Sequence, residues 1–317
     1  MKNVKRIILA GGSGFLGQVL AEHFLRSGHK ITVLTRSPKP ARPDIREIKW
    51  DADHAEGWAR ELEGATAVIN LTGRTVNCRY NARNRRLILE SRVRSTQAIG
   101  QAIAQCHNPP AVWLNASTAT IYQHTFGPAW DEAGRICGTP EAKDEFSVRV
   151  ATEWERTLNE ARTPATRKVA LRASMVLGRD KNSVFPMLCR LAQFGLGGKM
   201  GDGRQFVSWI HQADFCRAVE WLIAHEELRG PVNICAPNPL GNAEMMKTFR
   251  DLVGMPLGLP AARWMLEVGA FALRTETELI LKSRRVIPRL LLESGFAFHF
   301  PFLQDALKDL RLHRRIE

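Results

Sequence analysis

A short apolar strand, Val4-Lys5-Arg6-Ile7-Ile8-Leu9-Ala10, runs without a break into Gly11-Gly12-Ser13-Gly14-Phe15-Leu16-Gly17 and then into the amphipathic Gln18-Val19-Leu20-Ala21-Glu22-His23-Phe24-Leu25. A strand, a tight glycine turn and a helix start, in that order, build a pocket for a pyrophosphate. The free N–H groups and the positive end of the helix dipole face the anion, and missing side chains let it come close. Glycines spaced three apart also serve ordinary turns. The flanking strand and helix make a dinucleotide site the reading here.

The rest of the chain alternates strand and helix patterns as a doubly wound parallel sheet requires. Further strands are expected at Ile31–Leu34, Arg46–Trp50, Ala67–Leu71, Ala111–Ala116, Val169–Arg172 and Pro231–Cys235, with helices near 82–106, 144–162 and 212–226. Beyond about residue 178 the alternation loosens into helical and glycine-rich segments. Residues 1–177 with about 211–237 are expected to form the nucleotide-binding domain; 178–210 and 238–317 are expected to form a smaller, mostly helical lobe over the carboxyl ends of the strands.

Six scattered cysteines with no C-x-x-C pair argue against zinc or a disulfide framework and fit a reducing, cytoplasmic setting. No signal peptide is apparent, and no apolar run reaches the ~20 residues that span a bilayer. Residues 262–273 come closest, but Arg263 and Glu267 interrupt them. The net charge of +13 concentrates in arginines 74, 79, 83, 85, 86, 92 and 94, with smaller groups at 282–289 and at Arg311, Arg314 and Arg315. No nucleic-acid motif and no interleaved aromatics accompany them, so solvated helix faces are the preferred reading over phosphate binding. A small-molecule substrate is the expected partner, and neither nucleic acid nor a membrane.

At the end of the second strand an acidic residue would bond the ribose 2′-hydroxyl and repel a 2′-phosphate. The chain has Leu34-Thr35-Arg36-Ser37 instead. Arg36 can fork onto a 2′-phosphate and Ser37 can add a hydrogen bond, which favours NADP(H); an arginine standing in solvent is the alternative. Asp51, past the third strand, either accepts from the adenine amino group or serves its own turn.

The glycine loop, Asp51 and Ala116-Ser117-Thr118-Ala119-Thr120-Ile121-Tyr122 together resemble the extended short-chain dehydrogenase/reductase superfamily, a Rossmann-type fold. Gly203-Arg204-Gln205, Ser208-Trp209-Ile210-His211 and Arg285-Val286-Ile287-Pro288 narrow the resemblance to the atypical epimerase family proteins with a short C-terminal helical domain. The resemblance implies a cofactor held by Gly11, Gly12, Ser13, Gly14, Phe15, Leu16, Gly17, Arg36, Ser37, Asp51, Leu71, Thr72, Gly73, Ala116 and Ser117.

In that superfamily a tyrosine four residues before a lysine moves the proton. No Y-x-x-x-K occurs in this chain; by the resemblance, Phe146 and Val150 occupy the two positions. Neither transfers a proton. The substitute candidates are Thr118, which matches the superfamily's hydroxyl position, Tyr122 and His211. Each has a structural alternative: a bond to backbone for Thr118 and Tyr122, a bond to Asp214 for His211. The Asp131-Glu132 pair offers a carboxylate or a solvated loop. Arg204, Gln205 and Trp209 are expected to line the substrate cleft. An arginine that epimerases place to hold a nucleotide-sugar diphosphate is replaced by Val207, which argues against a UDP-sugar.

Three function classes follow. The first is an NADP(H)-binding oxidoreductase or epimerase with unusual acid/base groups, acting on a small hydroxyl- or carbonyl-bearing substrate, anionic ones included. The second is a catalytically silent NADPH-binding sensor or scaffold. The third, least favoured, is a nucleic-acid binder.

Overall fold

The computed structural model describes residues 4–39, 44–272 and 276–312; Leu273, Arg314 and Arg315 lie outside them. In chain order the strands are β1 Arg6–Ala10, β2 Lys30–Thr35, β3 Ile45–Lys49, β4 Ala67–Asn70, β5 Val112–Thr118, β6 Arg167–Ala173, β7 Met175–Leu177, β8 Phe206–Val207, β9 Trp209–His211, β10 Gly230–Ile234 and β11 Leu240–Gly241. The helices are α1 Phe15–Arg26, α2 Ala82–Ala104, α3 Glu145–Glu160, α4 Val184–Gln193, α5 Gln212–Ala224, α6 Asn242–Val253, α7 Arg263–Ala272, α8 Glu278–Leu281, α9 Arg289–Glu293 and α10 Leu303–Leu312.

Seven strands form one parallel sheet in the order β10-β6-β5-β4-β1-β2-β3. Its strands read as continuous apolar runs because helices cover both faces. Alternate side chains of β1 show this directly. Ile7 and Leu9 join Leu20 and Phe24 of α1 and Val219 and Leu222 of α5. Ile8 and Ala10 join Ile99 and Ile103 of α2 and Leu158 of α3. Phe24 is 1% exposed, and burying such a side chain contributes about 2–3 kcal/mol.

From β1 the chain winds outward through β2 and β3, then returns to the other side of β1 at β4. Strand order therefore reverses between β1 and β4, and a crevice opens beyond their carboxyl ends. The glycine turn after β1 and the Leu71-Thr72-Gly73 turn after β4 border it.

The smaller lobe packs α4, α6 and α10 around Leu177, Phe185, Trp209, Met246, Phe249, Leu307 and Leu310. Two short pairings, β7 with β9 and β8 with β11, belong to this part and have no counterpart in the strand pattern read above. A segment through Ser283–Ile287 then crosses beyond β5. Arg284 donates its N–H to Phe206 O at 2.8 Å, and Trp130 donates to Arg285 O at 2.8 Å. The six cysteines are free. Among the described residues there is no metal-ligand cluster, and no helix is long and apolar enough to cross a membrane.

Candidate functional site

The turn after β1 has the shape a pyrophosphate needs. Gly11 has φ +72°, a conformation that glycine adopts without strain. A Cβ on Gly17 would lie 2.3 Å from Gly12 Cα, so that glycine lets α1 close onto the turn. Gly14 differs: its nearest neighbour to a Cβ is Gly11 O at 3.8 Å, so its outer face is open. Gly14 is also the N-cap of α1 and supplies no side-chain cap, so the amides of Phe15, Leu16 and Gly17 open the helix with nothing from a cap laid over them. Ser13 is exposed, and its carbonyl accepts from Gln18 Nε2 at 2.9 Å.

Across the crevice, the turn after β4 is held from below. Asn70 Nδ2 donates to Asn115 Oδ1 at 2.8 Å and its Oδ1 accepts from Thr72 N at 3.0 Å. Thr96 of α2 joins both asparagines and accepts from Trp154 Nε1 at 3.0 Å. Leu71 N donates to Ala10 O at 2.9 Å, tying this turn to the glycine turn. The Thr72 hydroxyl is buried without a hydrogen-bond partner. A Cβ on Gly73 would meet the Arg92 guanidinium at 3.2 Å.

Arg92 was not among the residues expected at the site. Its Nη1 donates to Arg74 O and Ile88 O at 3.1 and 3.0 Å, and its guanidinium lies 5.0 Å from the Trp154 ring. Among the described residues it has no carboxylate partner, and burial pulls its pKa down to about 10. A desolvated cation without a counter-ion beneath the crevice is suited to an anion. The sequence gives little signal for it, because one arginine in a run of seven looks like the rest.

At the end of β2, Arg36 and Ser37 are both exposed, and Ser37 N donates to Thr35 Oγ1 at 3.4 Å. Asp51 serves its own turn: Oδ1 accepts from Asp53 N and His54 N, each at 2.9 Å, and Oδ2 pairs with His54 Nδ1 at 2.7 Å. Those His54 bonds hold its carboxyl down to about 2.

The place expected for a tyrosine–lysine pair is sealed. Phe146 and Val150 pack with Ile88, and Val76, Cys78, Tyr80 and Leu89 cover them. The Tyr80 hydroxyl is buried beside Ser147 without a well-formed hydrogen bond, and burial pushes the phenol up to about 12.

Thr118 is half-buried at the end of β5, and its hydroxyl accepts from Thr120 N at 3.1 Å. Ala116, two residues earlier on the same face of the strand, is also half-buried. Several expected residues face elsewhere, and the structure corrects their assignment. Ser117 donates to Glu155 Oε1 at 2.6 Å, which turns its hydroxyl into the interior. Tyr122 is 1% exposed; its hydroxyl donates to Asn233 Oδ1 at 2.7 Å and accepts from Arg172 Nη1 at 2.8 Å. Arg172 in turn forks onto Glu155, so the phenol belongs to a buried structural network. His211 caps α5, its Nδ1 accepting from Ala213 N at 3.0 Å, while Nε2 faces Asp309 of α10 at 3.3 Å. Asp214, the partner expected for it, instead accepts from Arg217, His299 N and Phe300 N. Trp209 is fully buried and donates to Asn238 O at 3.2 Å, a core side chain and not a cleft wall. Gln205 is buried and donates to Met200 O at 2.8 Å. Arg204 is exposed and lies 5.5 Å from the Phe126 ring. Asp131 pairs with Arg289 at 3.2 Å, and Glu132 accepts from Asn233 N at 3.1 Å, so both carboxylates fasten loops.

Two cations not expected at the site contact Thr120, in the turn that follows Thr118. Lys282 pairs with Asp144 and donates to Thr120 O at 2.6 Å. Arg284 donates to Thr120 Oγ1 at 3.1 Å. Both come from the C-terminal segment, so the small domain fastens the turn that follows β5.

Fold and crevice together define a nucleotide-binding α/β protein of the extended dehydrogenase type. Residues 7–235 match the NAD dependent epimerase/dehydratase family, and the chain belongs to it. Residues 261–310 match a domain of unknown function (DUF1731). The human epimerase family protein SDR39U1 is 30% identical over 310 residues, 96% of this chain and 99% of that protein. A crystal structure of its isoform 2 with NADPH is similar with a TM-score of 0.83 and 29% identity, covering 96% of this chain and 98% of that one. A nucleoside-diphosphate sugar epimerase from Corynebacterium glutamicum gives a TM-score of 0.74 at 25% identity, over 96% of this chain and 57% of that one.

Proposed function

We propose that this chain binds NADP(H) in the crevice between the turns after β1 and β4 and acts there as an oxidoreductase or epimerase on a small hydroxyl- or carbonyl-bearing substrate. The observation that carries the reading is the open outer face of Gly14 at the uncapped start of α1. Arg36, where an acidic residue would select NAD, supports the phosphorylated cofactor, as does the human relative crystallised with NADPH.

The residues present fit the group. Amides of Phe15, Leu16 and Gly17 would take the pyrophosphate, Arg36 and Ser37 the 2′-phosphate, and Arg92 supplies a desolvated cation beneath Gly73. Bound there, the nicotinamide supplies hydride chemistry. The Thr118 hydroxyl accepts one bond from Thr120 N and keeps its own proton free to orient a substrate oxygen, while the transferred proton exchanges with water. Lys282 and Arg284 hold that turn in place through Thr120.

A second reading, a catalytically silent NADPH-binding protein, is favoured by the apolar packing of Phe146 and Val150. Calorimetry with NADPH and NADH on wild type and Arg36→Ala tests the cofactor. The expected result is NADPH binding lost in the variant with NADH binding largely kept; no uptake of either nucleotide by the wild type sinks both readings. A carbonyl and sugar panel with solvent-deuterium exchange then separates them, since a silent binder gives neither turnover nor exchange.

A further inference from the structure

Helix α7 carries apolar side chains almost all round but packs on one side only. Leu266 joins the core of the small lobe and Ala270 is 3% exposed. The opposite arc holds Trp264, Met265, Val268 and Phe271, exposed at 67%, 44%, 62% and 73%. Helical spacing places these four side by side, with Arg263 and Glu267 along one margin. The preceding loop carries two more exposed apolar side chains, Leu257 and Leu259, at 71% and 63%. Single exposed apolar residues need no explanation; six on adjoining elements do.

This surface borders the arginine-rich stretch. The Arg79 guanidinium lies 5.8 Å from the Phe271 ring and 3.6 Å from Glu276, which also accepts from Tyr80 N at 2.7 Å. Arg74, Arg79, Arg83 and Arg86 are all exposed along 74–86. An indole, aliphatic and phenyl side chains flanked by several guanidinium groups is the composition that partitions into the headgroup region of an anionic bilayer. Net charge of +13 adds long-range attraction to such a surface.

We propose that the exposed face of α7, with Leu257 and Leu259, docks on an anionic lipid membrane, the arginines of 74–86 lying against the headgroups. This is peripheral attachment. The expectation of no membrane partner rested on the lack of a spanning segment, and it does not address a helix lying in the interface.

The full chain is tested by flotation with phosphatidylcholine vesicles, with and without phosphatidylglycerol. Binding to the anionic vesicles alone, falling as salt is raised, is expected. Trp264→Ser with Phe271→Ser should lower partitioning about tenfold or more, and Arg83→Glu with Arg86→Glu should remove the dependence on phosphatidylglycerol. NADPH affinity and melting temperature of both variants should match wild type. Quenching of tryptophan emission by brominated lipid, lost on Trp264→Phe, gives a readout that misfolding does not imitate. Absence of wild-type flotation at low salt overturns the proposal. So does a concentration-dependent dimer in light scattering that Trp264→Ser abolishes, which would assign the face to a second copy of the chain.

Discussion

Tyr80 lies edge-on against Phe146, ring centroids 5.0 Å apart and planes inclined at 67°. The contact closes the place where the superfamily's proton-transferring tyrosine would stand, and Val150 completes the closure at 6% exposure. Restoring the missing lysine should therefore break the packing and restore no chemistry. Val150→Lys places an ammonium among Ile88, Phe146 and Tyr80, and should cost about 3 kcal/mol or more in urea unfolding. Phe146→Tyr should leave turnover where it is. A gain of activity in the double variant would mean that the pocket opens in solution.

Two glycines three residues apart should fail in different ways. In Gly17→Ala the new methyl meets Gly12 Cα at 2.3 Å, and backbone cannot swing aside as a side chain does. The strand–turn–helix junction must spread, costing about 1–3 kcal/mol. In Gly14→Ala the nearest atom is 3.8 Å away and φ is −79°, so the apo protein should melt like wild type. The methyl instead fills the space left for the pyrophosphate, and NADPH affinity should fall about tenfold or more. Thermal melts with and without NADPH distinguish the two. Equal ligand-induced shifts in wild type and Gly14→Ala would remove the pocket from this turn.

Tyr122→Phe separates a structural phenol from a catalytic one. Its hydroxyl bridges Asn233 and Arg172 inside the protein. Removing it leaves a buried guanidinium short of one acceptor and an amide oxygen short of one donor, at about 1–3 kcal/mol. NADPH affinity and any turnover per folded molecule should not change. Lost turnover at unchanged stability would return the tyrosine to the chemistry.

The sheet was legible because its signal is local. Apolar strands, glycine turns and amphipathic helices succeed one another, and the carboxyl ends of β1 and β4 follow from that order. The glycine turn was legible for the same reason. What a polar side chain faces is set by distant segments. Trp209-Ile210-His211 reads alike whether it lines a cleft or a core, and only the return of α10 with Asp309 beside His211 decides it. Arg92 and Lys282 read in the sequence only as surface charge because their meaning lies in a neighbour's absence or presence: among the described residues no carboxylate pairs with the first, and Asp144 lies against the second. Tyr80 is followed four residues on by Asn84 and not by a lysine, yet it ends beside the very residue that stands in the expected tyrosine's position.

His211 should leave a mark on the pH dependence of stability. Burial pulls its imidazole down to about 4 in the folded chain from an ordinary 6.5, partly opposed by Asp309. Above pH 6.5 the ring is neutral in both states and contributes no slope. Below it the unfolded chain takes up a proton that the folded chain resists, so stability falls as pH drops, and the fall levels off once pH passes below 4. A shift of this size corresponds to roughly 3–4 kcal/mol at most. His211→Asn keeps an acceptor for Ala213 N and has nothing to titrate, so its urea stability should lose this component. Glu132 and Glu278, whose carboxyls burial pushes up, act alike in both proteins and cancel in the difference. A wild-type-minus-variant curve that stays flat across that interval would show the ring reaching solvent, and its place between α5 and Asp309 would have to be abandoned.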